Sequence, residues 1–146
     1  MASLLKLLPD SKRAGVYQAA IDADEIVAAA KTVGLDVFKL DLGGARGKSG
    51  LLDRFAKALR FPAHFGKNWD ALNDCLTDLE WLEGKGWVVI VANAQSFADK
   101  HAEDFTTAID ILSAAAAHWR ELKKPFWIII QAQAAWYLDL PKIVSE

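Results

Sequence analysis

Hydrophobic and polar residues follow two different periods along the chain. Residues 35–42 alternate apolar and polar side chains, which is the period of a β-strand with one covered face. Residues 87–91 and 126–130 are continuous apolar runs, typical of strands that are buried on both faces. A short strand is also predicted within residues 14–21. Because helical patterns separate these segments, the sequence predicts an α/β fold with a small parallel β-sheet of three to four strands packed with helices.

Segments of helical periodicity connect the predicted strands. Apolar positions at helical spacing predict helices over residues 22–33, 48–59, 68–82 and 102–122. Gly34 ends the first helix at a position where glycine is favoured, and Pro62 interrupts the chain after the second helix. No linker is long enough to divide the chain. We therefore expect residues 1–146 to form a single domain, with residues 1–13 as a candidate flexible N-terminal segment.

Composition and charge exclude several classes of function. The 146 residues are 53% hydrophobic and 25% charged, as in ordinary globular proteins. The net charge of -2 argues against a general affinity for nucleic acid, which requires clustered Lys and Arg. The apolar start of the chain is too short for a signal peptide, and no run approaches the roughly 20 apolar residues that span a bilayer. We expect a cytoplasmic protein that binds neither nucleic acid nor membrane.

The predicted helix over residues 68–82 carries an acidic face. Residues 68–83 contain five acidic residues and no basic residue. At about 100° per residue, the apolar side chains fall on one side of this helix. The opposite side carries four polar side chains, those of Asp70, Asn73, Asp74 and Thr77. Exposed helix faces are often acidic, so the charges alone do not establish a binding site.

The segment around this helix resembles a family signature. Residues 61–76 read Phe-Pro-Ala-His-Phe-Gly-Lys-Asn-Trp-Asp-Ala-Leu-Asn-Asp-Cys-Leu. This run is similar to the signature of the barstar family of ribonuclease inhibitors, which has Leu/Phe-Pro, two aromatic residues, Gly, any residue, Asn, an apolar residue, Asp-Ala-Leu, any residue and Asp-Cys-Leu. Looser similarity covers residues 35–130. The resemblance implies a barstar-like fold and a protein inhibitor that has no catalytic activity and no cofactor.

The resemblance also implies a mechanism and a partner. In barstar-like inhibitors the signature loop and helix block the ribonuclease active site, and two aspartates stand where RNA phosphates would bind. The resemblance assigns that role to Asp70 and Asp74. Neighbouring contact positions fall on His64, Gly66, Asn68, Asn73 and Thr77. The implied partner is a secreted, bacterial-type ribonuclease, bound one to one by an immunity protein that is a monomer when free.

Two positions depart from the family pattern. The family often has tyrosine where His64 stands, and its best-known member has tryptophan at the position of Asn73. Aromatic residues commonly anchor interfaces, so their replacement favours a partner other than the best-known ribonuclease. An acidic binding module for a partner that is not a ribonuclease is therefore a second interpretation.

A nucleotide-binding enzyme is a third interpretation. The loop from Gly43 to Ser49 follows a predicted strand and precedes a helix, as a phosphate-binding P-loop does. That motif needs four residues between its first glycine and Gly-Lys-Ser, and Gly43 leaves only three before Gly47. The three histidines are scattered, without the paired spacing of a zinc site. We therefore predict no metal site and regard the P-loop as degenerate.

Overall fold

A computed structural model describes residues 3–133 and 136–144. In these residues five strands form one parallel sheet in the order β2-β3-β4-β1-β5: β1 (Val16–Ala19), β2 (Asp36–Asp41), β3 (Trp87–Ala92), β4 (Phe126–Gln131) and β5 (Lys142–Ile143). Six helices accompany them: α1 (Leu4–Leu7), α2 (Ala23–Thr32), α3 (Gly47–Ala58), α4 (Trp69–Asp78), α5 (Ala94–Lys100) and α6 (Ala102–Glu121). The predicted parallel α/β architecture is confirmed.

Each face of the sheet is covered by its own set of helices. The first five residues of both β3 and β4 are fully buried, because helices pack on both sides of these central strands. On one face, α3 to α6 pack against alternate residues of β3 and β4, such as Val89 and Ile128. On the other face, α2 and the segment after α1 pack against the intervening residues, such as Ile90 and Trp127.

Residues 3–14 lie against this second face. The side chain of Leu8 is completely buried, and the Trp127 indole Nε1 donates a hydrogen bond of 2.8 Å to the Leu8 carbonyl. The guanidinium of Arg120, at the end of α6, donates to the carbonyl of Ala14. The chain before β1 is therefore tied to β4 and α6 by two side-chain groups that donate hydrogen bonds to its backbone carbonyls.

The sheet has one strand more than the three to four that the sequence predicts. The two-residue strand β5 pairs in parallel with the end of β1, with Lys142 beside Gln18 and Ile143 beside Ala19. The buried amide of Gln18 holds the approach to β5 by donating to the carbonyls of Leu138 and Leu140. A strand of two residues has no detectable period, so only this tertiary contact defines it.

The helices also differ from the prediction. Helix α4 ends at Asp78 rather than near residue 82, because Leu79 adopts the left-handed conformation (φ 49°) and its N–H donates to the Cys75 carbonyl. Helix α5 carries no clear apolar period in the sequence. It buries only two residues, Ala94 and Phe97, and begins after Asn93 in the left-handed conformation.

Asp41 organises the carboxyl ends of β2 and β3. Its Oδ1 accepts hydrogen bonds from the Gly43 N–H (2.7 Å) and the Asn93 Nδ2 (2.9 Å). The Arg54 guanidinium donates to the backbone carbonyls of Asp41 and Gly43. The Asn93 amide, and then the Gly43 N–H, hold the pKa of the Asp41 carboxyl below its usual value. The Asp41 carboxylate therefore lies beside the turn that begins at Gly43, where it would repel a bound phosphate.

Replacing Asp41 with Asn is expected to destabilise the fold in a pH-dependent way. A carboxyl whose pKa is lowered by folding contributes stability above its unfolded pKa and loses that contribution as the pH falls through its folded pKa. Because Asp41 is exposed, we expect a loss of only about 0.5–1 kcal/mol near neutral pH. Urea unfolding of both proteins at about pH 7 and about pH 3 would measure it, since the difference should shrink at the lower pH. An equal difference at both pH values would contradict this role.

Candidate protein-binding site

Helix α4 is fixed to the core by its apolar face and by one buried hydrogen bond. Leu72 and Leu76 are completely buried, and Cys75 is nearly so. The indole Nε1 of Trp119, on α6, donates a hydrogen bond of 2.7 Å to the Leu76 carbonyl. The exposed side of α4 is therefore presented on a rigid support, which a binding surface requires if it is to match a partner without reorganisation.

The N-terminus of α4 is capped by a predicted site residue. The Asn68 Oδ1 accepts a hydrogen bond of 2.7 Å from the Ala71 N–H, while its Nδ2 donates to the Gly66 carbonyl. A Cβ at Gly66 would lie 3.3 Å from the Asn68 Nδ2, so the cap leaves little room for a side chain there. Asn68 and Gly66 thus fix the junction between the loop and the helix.

An aromatic cluster holds the loop of residues 61–67 in front of α4. The Phe61 ring packs edge-on against Phe65 (4.9 Å between centroids) and against Trp81 (6.0 Å). The Trp81 Nε1 donates a hydrogen bond of 2.9 Å to the Leu59 carbonyl. If α4 continued past residue 81, Trp81 would lie on the same exposed face of the helix as Asp70 and Asp74. Because the helix ends at Asp78, Trp81 instead turns back to support the loop.

The loop and the helix enclose an acidic cavity of about 420 Å³. Phe65, Cys75 and Trp81 contribute apolar surface to it. Its charged and titratable side chains, apart from Cys75, are Asp74, Asp78, Glu80 and His64, all of which are exposed. We refer to this cavity, together with the exposed side of α4, as the acidic surface.

The predicted site residues divide into four groups. His64, Gly66 and Asp74 line the cavity, whereas Asp70 and Asn73 are exposed on α4 outside its lining. Asn68 is the helix cap. Thr77 is half-buried, and its hydroxyl already donates to the Asn73 carbonyl (2.8 Å). The helical wheel therefore places Asp70, Asn73 and Asp74 correctly in solvent.

Sequence reasoning missed two acidic residues of the cavity, Asp78 and Glu80. The spacing of Asp70, Asp74 and Asp78 at one-turn intervals was a visible signal for the first of them. Nothing in the sequence pattern indicated Glu80, because its position depends on the early end of α4 at Leu79.

The carboxylates of the acidic surface have no cationic partner within residues 3–133 and 136–144. The ion pairs there join Lys39 to Asp24 and Lys67 to Asp53, and neither involves an acid of the acidic surface. Acids one helical turn apart repel each other by roughly a few tenths of a kcal/mol per contact. Burial, and then the Asp78 and Asp74 carboxylates, raise the pKa of the Cys75 thiol, which keeps it in its unreactive protonated form.

The described part of the chain contains no group of three or more His, Cys, Asp or Glu side chains arranged to hold a metal ion. In the same residues, no helix is both long and apolar enough to cross a membrane. The exposed carboxylates of the acidic surface can bind positively charged groups.

Comparison with known proteins gives this surface a context. The model of a family described as Barstar (barnase inhibitor) matches residues 35–131. The match runs from just before β2 to the end of β4 and includes the whole acidic surface. No curated protein matches the chain. Members of the matched family are inhibitors rather than enzymes. Since the family model covers more than half of the chain, the protein belongs to the Barstar family of barnase inhibitors.

Proposed function

We propose that this protein inhibits a barnase-type ribonuclease by covering the active site of the nuclease with its acidic surface. The observation that carries the proposal is the cavity beside α4, which Asp74, Asp78 and Glu80 line without a cationic partner in the described residues. The surface belongs to the segment that the family model matches. A ribonuclease site must bind phosphate with Arg, Lys and His, so an acidic, rigid surface is its electrostatic complement.

The shape of the cavity suggests how one basic side chain would bind. A guanidinium entering between His64 and Trp81 would meet the carboxylates of Asp74, Asp78 and Glu80. Its stem would lie against the apolar surface of the cavity, which favours arginine over a fully hydrated ammonium group. Asp70, at the other end of the same helix face, would meet a second cationic group of the nuclease.

Electrostatics would act on the rate of association as well as on the affinity. Opposite charges on the two partners can raise the association rate by roughly 10–10³-fold, an effect that salt reduces. In the complex of barnase with barstar itself, close charge pairs have coupling energies of about 1.5–7 kcal/mol. Those values describe the reference complex of the family, and they indicate the range that the acidic surface can reach.

We expect the nuclease that this protein binds to differ from barnase in the residues that face His64 and Asn73. His64 is exposed at the mouth of the cavity and Asn73 is exposed on α4, where aromatic residues would otherwise supply apolar contact area. A nuclease with a smaller or more polar rim opposite these residues is the better fit. We propose a one-to-one complex, because one inhibitor surface covers one active site and the inhibitor needs no second copy.

The substitution Asp74→Asn is expected to weaken inhibition by about 100-fold, because it leaves a buried cation of the nuclease without its partner. Inhibition constants against barnase-type ribonucleases would measure the effect. The matched control is Asp110→Asn, which removes the same charge from an exposed position on α6. Equal inhibition by Asp74→Asn and the unmodified protein would place the site elsewhere. Failure to inhibit any such nuclease, together with Asp74-dependent capture of another basic protein, would favour the binding-module interpretation.

A further inference from the structure

The central strands separate at their carboxyl ends. Pairing between β3 and β4 stops at Val91 and Ile130, although each strand continues for one more residue. The last residue of β3, Ala92, pairs only with β2, and the last residue of β4, Gln131, pairs only with β1. The sheet therefore splits at this edge, between β2–β3 on one side and β4–β1 on the other.

The connections that leave this edge run to opposite faces of the sheet. The chain after β1 enters α2, which packs on the face containing Ile90 and Trp127. The chain after β3 enters α5 and α6, which pack on the face containing Val89 and Ile128. In open parallel α/β sheets, the crevice beyond the carboxyl ends of strands whose connections diverge in this way is the usual place for a ligand.

A cavity of about 460 Å³ occupies this crevice. Its size lies within the range of small-molecule sites, about 300–1,000 Å³. Alanines at the strand ends, among them Ala19, Ala92 and Ala132, keep it open and give it an apolar floor. None of its lining residues belongs to the acidic surface. The two sites are therefore separate, and the inference does not depend on the proposed inhibition of a nuclease.

The polar groups of this cavity are amides. Asn93 and Gln131 use their side-chain nitrogens on Asp41 and on the Ile21 carbonyl, which leaves their carbonyl oxygens as acceptors. Gln95 and Gln133 are exposed at the mouth, and neither makes a side-chain hydrogen bond within the described residues. Together these four amides can both donate and accept hydrogen bonds. The edge of a nucleobase also carries both donors and acceptors, so the amides can pair with it.

The remaining side chains of the cavity favour a ligand that is uncharged and has an aromatic ring. No described residue that lines the cavity is charged, and the carboxylate bonded to Asn93, that of Asp41, would repel an anion. Trp136 contributes half-buried indole surface and is supported by the Phe105 ring, 6.2 Å away between centroids. An aromatic face beside amide groups suits a planar heterocycle, which can stack and hydrogen-bond together.

We propose that the crevice at the carboxyl ends of β1, β3 and β4 binds an uncharged nucleobase or nucleoside. The amides of Gln95 and Gln133 read its hydrogen-bonding edge, and Trp136 contacts its ring. The carboxylate that holds Asn93 makes a phosphorylated form of the same ligand a poorer fit.

Titration of the full chain by two-dimensional ¹H–¹⁵N NMR tests this proposal with defined probes. The probes are adenosine, guanosine, cytidine and uridine, then the free base and the 5′-monophosphate of the tightest binder, and ribose. At least one nucleoside should shift the backbone signals of Ala20, Gln95 and Gln133, its base should bind at the same place, and its monophosphate should bind more weakly. The absence of binding by every nucleoside, tighter binding of the monophosphate, or equal binding of ribose would each overturn the proposal.

Two variants locate the binding. Ala20 is exposed at the edge of the cavity, so Ala20→Leu fills it without disturbing the core and should weaken nucleoside binding by about tenfold or more. Gln133→Ala removes one amide and should weaken binding by about fivefold. Ala114→Leu, at an exposed position of α6 outside the cavity, is the matched control and should bind normally. Unchanged affinity in both Ala20→Leu and Gln133→Ala would overturn the proposal.

Discussion

The double substitution Asp74→Lys, Asp78→Lys is expected to abolish inhibition of a barnase-type ribonuclease. Both carboxylates line the cavity beside α4, and their replacement would set two cations against the phosphate-binding groups of the nuclease. Loss of the attraction and the new repulsion together should lower the affinity by about 10⁴-fold, roughly 5.5 kcal/mol. Titration of nuclease activity with the purified variant would measure this loss. The expectation rests on the proposed function.

A control variant with the same net charge tests whether the position of the substituted charges, rather than their number, causes the loss of inhibition. The variant Asp99→Lys, Asp110→Lys changes the net charge equally, at exposed positions of α5 and α6. It should retain most of the inhibition, apart from a salt-dependent decrease in the association rate. The site variant should fold about as stably as the unmodified protein. The two new cations still repel each other, but the cation at position 74 attracts Asp70 and the cation at position 78 suits the helix C-terminus. Equal loss of inhibition by the two variants would show that net charge, and not the cavity, is responsible.

The substitution Trp127→Ala is expected to lower the free energy of unfolding by about 3–5 kcal/mol. Trp127 is completely buried in β4 and contacts the Tyr17 ring at 5.3 Å between centroids. Its indole also bonds the Leu8 carbonyl, so the substitution leaves both a void and an unpaired buried acceptor. Urea unfolding followed by circular dichroism would measure the loss.

The variant Trp127→Phe separates these two effects. It keeps most of the apolar volume but removes the indole N–H that holds Leu8, so we expect a smaller loss of about 1–3 kcal/mol. Hydrogen exchange of residues 4–14 should accelerate in both variants, since this segment depends on the bond to Trp127. If Trp127→Ala cost no more than Trp127→Phe, the packing of the indole on the sheet would not be the source of the stability.

The sequence predicted the elements that depend on local pattern. Strands β3 and β4 were identified to within about one residue, because a strand covered on both faces must be continuously apolar. The exposed positions of Asp70 and Asp74 followed from the helical period, and the N-cap at Asn68 followed from residue type. The family resemblance then singled out the same stretch, which a family model also matches.

The remaining features depend on tertiary contacts that no local pattern contains. Leucine rarely adopts the left-handed conformation, and Leu79 does so here because its side chain is buried in the core. That single residue ends α4, brings Trp81 back to the loop and places Glu80 in the cavity. In the same way, β5 depends on its pairing with β1 and on the Gln18 side chain that fixes the segment before it, so its two residues gave no signal. The crevice between β3 and β4 likewise follows from where strand pairing ends.

The unpaired acids along α4 imply that the proposed nuclease partner would also stabilise the fold. Asp70, Asp74 and Asp78 repel one another in the free protein, so the acidic surface lowers the intrinsic stability. A cationic partner relieves that repulsion, and part of the binding energy is therefore a gain in folding stability. Under the proposed function, the unbound protein would then be the form most exposed to unfolding and proteolysis, which would couple its lifetime to the presence of the nuclease.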